Sequence, residues 1–157
     1  MPEPIIISEN KTLKLTNVLI KRIKSDEFTE FGKIVELMEN YIKSKGAQPI
    51  GPLIQFTKIE VDEDGQTEMN ITLLRQSNNF INHVESPYTM ESIRRVKKCL
   101  YTHFVGEESN LQFAYDKMGV FAYEEDIKLT GETYTVFVDQ IEDNLIADIF
   151  MERTEDE

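Results

Sequence analysis

The chain has 157 residues, with 29 acids against 17 bases and a formal net charge of −12. Nine Phe and six Tyr exclude disorder as the default, and the length suits one domain with its own core or two small intimate halves. So acidic a chain repels a nucleic-acid backbone unless its bases cluster; the one concentration, Arg94, Arg95, Lys97 and Lys98, reads as a solvated strand entrance.

The opening MPEPIIISEN has no basic region and too short an apolar run for a signal peptide, and nothing in the chain approaches a membrane span, so a cytoplasmic protein is expected. Residues 12–24 alternate as a strand. Ser25 then offers an N-cap, with Asp26 and Glu27 suited to the first turn of a helix. That helix carries one apolar stripe, Phe31, Ile34, Leu37, Met38, Tyr41 and Ile42, and Gly46 closes it. Two strands follow, LIQFTKIEV and TEMNITLLR, joined by a turn with an Asp-Gly signal. After a polar linker containing Pro87 the order recurs. IRRVKKCLYTHFV is a strand. The next helix has Leu111, Ala114, Tyr115, Met118 and Phe121 on its stripe, and LTGETYTVFVDQ and NLIADIFMER are two strands around an acidic turn. Cys99, the one cysteine, reads as a buried small side chain. The ending ERTEDE reads as a frayed charged tail.

Residues 17–71 slide onto 97–151 without a gap, setting Gly51 on Gly131, Met38 on Met118 and Glu68 on Asp148. The expected fold is therefore α+β: two strand–helix–strand–strand repeats (about 12–75 and 91–153, linker 76–90) related by a pseudo-twofold. Their strands form one curved, mainly antiparallel sheet with both helices on one face, within a single domain spanning 1–157. In the last strand Ala147, Ile149 and Met151 share an apolar face, expected to carry the helix, and Met69 and Ile71 do the same in the earlier repeat. Asp148 falls on the other face, between Ile146 and Phe150. It is either an ordinary solvated residue or a placed charge, and its apolar flanks favour a partly enclosed acid.

A duplicated unit of this length resembles the GyrI-like, or effector-binding, fold, the ligand module of many AraC- and MerR-type bacterial regulators, which also occurs alone. LYTHFVGEESNLQFAYDKM is similar to the family's strand, Gly and aromatic-rich helix, ETYTVFVD to its third strand, and ADIFMER to its last strand, where the family has a Glu, an apolar residue and later a Pro. Here Asp148 replaces the Glu, Glu152 and Arg153 follow where the Pro is expected, and Glu107 and Glu108 stand where the family has Pro and Tyr after Gly106. The resemblance implies a cleft on the open face, with Asp148 and Glu68 facing each other from the two repeats. A carboxylate among aromatics suits a flat cation.

Tyr101 and His103 alternate on one strand and are candidates to line that cleft, although a surface-strand histidine is the simpler reading of His103. Phe137 and Phe150 are further candidates, with core packing an equal alternative for Phe137. His83 and His103 do not sit at metal-ligand spacing, and no catalytic triad, phosphate loop or cofactor motif is present. The leading expectation is a standalone bacterial protein binding a small, cationic or aromatic molecule, with no cofactor and no nucleic-acid or membrane partner. The rival is an accessory module that uses the open face for a protein partner, for example of a secretion or toxin system. Some standalone relatives in the resembled family are hydrolases using a cleft Glu and Tyr, which Asp148 and Tyr101 would imitate.

Overall fold

The computed structural model describes residues 4–154. Its elements run β1 (Ile7–Ile23), α1 (Phe31–Ser44), β2 (Pro49–Val61), β3 (Thr67–Ser77), β4 (Tyr88–Gly106), α2 (Leu111–Glu124), β5 (Leu129–Ile141) and β6 (Asn144–Arg153). The order strand–helix–strand–strand thus occurs twice, and the class is α+β with antiparallel pairing throughout the sheet. No helix among the described residues is long and apolar enough to cross a membrane.

The expected sheet with an open face is corrected. The strands form a closed barrel in the order β1-β3-β2-β5-β6-β4, because β1 and β4 pair with each other from Ile7↔Thr102 to Lys21↔Tyr88. Those two strands have 17 and 19 residues, longer at their N-terminal ends than their alternation suggests. Closure removes the sheet edges and gives the barrel an interior. That interior holds Leu13, Leu15, Val18, Ile54, Leu74, Val96, Cys99 and Tyr134, with Phe56, Val136 and Phe150 against them. Side chains of the opposite parity face outward to the helices. Leu19, Ile23 and Leu73 meet Ile34, Met38 and Ile42 of α1, while Leu100, Phe104, Ala147 and Ile149 meet Ala114, Met118 and Ala122 of α2. Both helices therefore lie on the outer surface.

α1 begins later than its sequence signals. Residues Ser25–Glu30 wind more tightly, with Glu27 N–H bonded to the Lys24 carbonyl and Lys24 N–H to the Glu27 carboxylate. The side chain of Ser25, expected as the N-cap, lies outside the described residues, as do residues 155–157 of the expected tail. Gly46 takes φ +81° and its N–H bonds to the Lys43 carbonyl, while Ala47 N–H reaches back to Ile42. Two stripe assignments fail. Leu37 is exposed, one residue off the buried line Ile34–Met38–Ile42, and Met69 is 59% exposed because the β2–β3 hairpin runs past the end of β1, whose pairing stops at Ile23↔Ile71.

The hairpins also correct the match of Glu68 with Asp148. Thr57 faces Ile71, and eighty residues on Phe137 faces Ala147, so Asp148 holds the place of Thr72. The turn between β5 and β6 has two residues (142–143) where that between β2 and β3 has five (62–66), and a one-residue shift between Phe137 and Asp139 adds the rest.

Candidate functional site

β6 alternates strictly. Leu145, Ala147, Ile149 and Met151 are buried on the helix side, and Ile146, Asp148 and Phe150 turn the other way, toward the barrel interior. β4 runs antiparallel beside β6 and sets His103 opposite Asp148 and Tyr101 opposite Phe150. Tyr101 Oη donates to Asp148 Oδ1 at 2.7 Å, and His103 Nδ1 stands 2.7 Å from the same oxygen. A carboxylate can only accept, so the nitrogen facing an ionised Asp148 carries the proton. Among the described residues no side chain bonds to Oδ2, which keeps acceptor capacity. The Asp148 side chain is 25% exposed and that of His103 45%, so the acid stands at the rim of the interior.

Burial pushes the Tyr101 phenol well above its usual range, and the hydrogen bond to Asp148 and the charge of that carboxylate push in the same direction. Tyr101 is therefore a proton donor at neutral pH. Its ring lies 4.9 Å from that of Phe150. Cross-strand register extends this pair into a row: Tyr101↔Phe150, Phe150↔Tyr134 and Tyr134↔Phe56 stand opposite one another on β4, β6, β5 and β2. Phe56 and Tyr134 lie 4.6 Å apart. Such pairs are each worth about 0.5–1.5 kcal/mol beyond area burial.

Cations already occupy parts of this row. The Arg94 guanidinium stands 5.3 Å over Phe56 and 5.9 Å over Tyr134, and it donates to the Tyr134 oxygen at 3.3 Å and to both oxygens of Glu91. Lys11 Nζ lies 5.7 Å over Tyr101. Burial pushes the Tyr134 phenol up to about 12 despite the opposing charge of Arg94. Cys99 is fully buried in the same interior, and burial pushes its thiol up to about 11, which makes it unreactive.

Of the residues singled out from sequence, Asp148, Tyr101, His103 and Phe150 come together. Glu68 does not join them. It stands opposite Glu60 near the tip of the first hairpin, in a surface hollow of about 360 Å³ with Arg22, Lys24 and Phe28. Asp148 is at the level of Val136, Ile54 and Leu74, six residues and about 20 Å along β3 from Glu68. Phe137 packs on the helix side against the cluster under α2. Phe56, Tyr134 and Arg94 were missed. Tyr134 and Val136 share the strand face opposite Phe137, and it is that face that turns to the interior; the place of Tyr134 beside Phe150 depends on register.

Among the described residues a buried cluster occupies the closed interior where a cleft between the halves was expected. A separate cavity of about 320 Å³ lies on the outer surface over the β2–β5 seam, lined by Gln55, Thr57, Ile59, Met69, Gln112, Tyr115, Gly131, Thr133 and Met151. No charged side chain lines it, and Tyr115 Oη is bonded to Thr135 Oγ1 at 2.5 Å.

No protein-family model matches the chain, and no curated protein matches it in sequence. Its fold is shared with solved structures. The crystal structure of the EcmrR C-terminal domain matches with a TM-score of 0.65 and 14% identity, covering 97% of this chain and 98% of that one. EcmrR in its complex with DNA matches at 0.66 and 15% identity over 95% of this chain, which spans 57% of the length of that protein. A hydrolase encoded by lin2189 of Listeria innocua matches at 0.61 and 15% identity, covering 96% and 91% of the two chains. SAV2435, solved bound to tetraphenylphosphonium, matches at 0.52 and 9% identity over 97% and 94%. These likenesses agree with the fold implied by the resemblance of the sequence.

Proposed function

We propose that this protein is a small-molecule-binding module of the effector-binding type, and that its ligand is an aromatic or lipophilic cation received by Asp148 at the end of the aromatic row. The observation that carries the reading is Asp148 itself. It is a carboxylate held at one oxygen by Tyr101 and His103, with the other oxygen unpaired by side chains and the Phe150 ring at its side. The acid supplies charge and the ring faces supply attraction for a delocalised cation. Arg94, lying over Phe56 and Tyr134, is an internal example of a flat cation on the same row. The likeness to EcmrR's C-terminal domain and to SAV2435 with its bound phosphonium supports the class of function and supplies a probe. The interior is filled, so the ligand enters at the rim, where His103 is exposed, and displaces the His103 ring from Asp148.

Calorimetric titration with tetraphenylphosphonium tests this. Asp148→Asn keeps an acceptor for Tyr101 and folds like the wild type, but it binds roughly tenfold more weakly through loss of the charge contact. Equal affinities would overturn the assignment of Asp148. The hydrogen bond from Tyr101 to Asp148 also favours a second reading, hydrolysis with Tyr101 as proton donor to a leaving group. Turnover of an activated ester that is lost in both Tyr101→Phe and Asp148→Asn would select it.

A further inference from the structure

Beyond Arg94, the basic concentration in β4 takes no part in the proposed cation site. Val96 and Cys99 both point into the barrel, at 5% and 0% exposure, and the two residues between them, Lys97 and Lys98, are both exposed. A simple strand cannot do this, because its side chains alternate. The register against β1 shows how it is done: Leu13 pairs with Val96 and Lys11 with Cys99, so β4 carries one extra residue there. That residue is accommodated with Lys98 at φ +58°, a conformation that a lysine rarely adopts. The bulge sets two consecutive lysines on the outer surface. Arg95 is exposed beside them and stands opposite Lys14 of β1, a like-charge pair that sheets normally avoid.

Arg95, Lys97 and Lys98 line a hollow of about 220 Å³ together with Arg153 and the Glu152 carboxylate. Arg153 Nη1 is 3.6 Å from Glu9 Oε1, whereas Arg95, Lys97 and Lys98 make no ion pair or side-chain hydrogen bond among the described residues. In a chain with 29 acids and 17 bases, unpaired bases gathered on a strained bulge are unexpected unless they serve a ligand.

We propose that this hollow is an anion site for a single phosphoryl or other compact oxyanion group carried by a small molecule. Four basic side chains line the hollow against one carboxylate, Glu152, and ammonium and guanidinium donors fit such a group. Its size is that of about seven waters at roughly 30 Å³ each, which admits a phosphate group with its solvent shell partly removed. The net charge of −12 argues against a polyanion, which would have to lie across acidic surface, and for a small ligand that meets only the hollow.

The test is calorimetric titration with inorganic phosphate at an ionic strength held constant with sodium chloride. Wild type should bind with a dissociation constant on the order of millimolar or tighter. Lys97→Gln and Lys98→Gly should each weaken binding by roughly tenfold. Lys98→Gly should also melt no lower than wild type, because glycine adopts the positive φ freely, and this separates lost binding from lost fold. Asp148→Asn should bind phosphate as wild type does, whatever its response to cations. No binding above the chloride background, undiminished binding in both lysine variants, or loss of binding in Asp148→Asn would each overturn the proposal.

Discussion

Replacing Ile149 by Ala tests which face of β6 carries the helix. Ile149 is fully buried and sits with Ala114, Met118 and Leu100 between the barrel wall and α2. Truncation there removes apolar contact and leaves a cavity that neighbours fixed in strands cannot close, at a cost of about 2–5 kcal/mol. For a chain of this size each kcal/mol lowers the melting midpoint by roughly 2–4 °C, so a central value of about 3 kcal/mol predicts a fall of about 6–12 °C. Ile146 lies on the same strand with opposite parity and is half-buried near the rim, so Ile146→Ala should cost only about 1 kcal/mol. Chemical denaturation of both variants, fitted with a common dependence on denaturant, gives the two values. A larger loss for Ile146→Ala would show that the faces are reversed and that Asp148 points to the helix.

Gly46→Ala should destabilise by about 1 kcal/mol purely through backbone strain: the added carbon meets nothing within 4 Å while φ is +81°, so a variant as stable as wild type would remove the helix-stop role. Tyr101 and Tyr134, and the Cys99 thiol, hold their protons more tightly folded than unfolded. The stability they confer is complete below about pH 8.5, the unfolded cysteine value, and is lost as pH rises through the folded values. The denaturant midpoint should therefore fall between pH 9 and about 12, and an unchanged midpoint across that range would contradict the burial of these groups. Asp148→Asn should lower the phenol pKa of Tyr101 by removing the neighbouring negative charge, which ultraviolet titration of tyrosinate reads against the wild type.

The legible parts of the fold were local. The line Ile34–Met38–Ile42 and its counterpart Ala114–Met118–Ala122 repeat at helical spacing, and the Gly46 stop and the β2–β3 hairpin carry their own turn chemistry. Barrel closure was not legible, because it depends on β1 pairing with β4 across some eighty residues and through segments such as Ser8–Lys11 that interrupt the register. The site divides in the same way. Tyr101, His103, Asp148 and Phe150 follow from period-two alternation within two strands. The exclusion of Glu68 rests on turn length, and the inclusion of Phe56 and Tyr134 rests on pairing between strands, neither of which one strand's pattern encodes.

The most direct measurement of where a cation binds is the set of intermolecular nuclear Overhauser effects between the phenyl protons of tetraphenylphosphonium and the protein's side chains. Contacts to the rings of Tyr101 and Phe150, beside Asp148, are expected, together with their loss in Asp148→Asn. Contacts to Tyr115, Met151 and Ile59 instead, in the uncharged cavity over the β2–β5 seam, would contradict binding at Asp148.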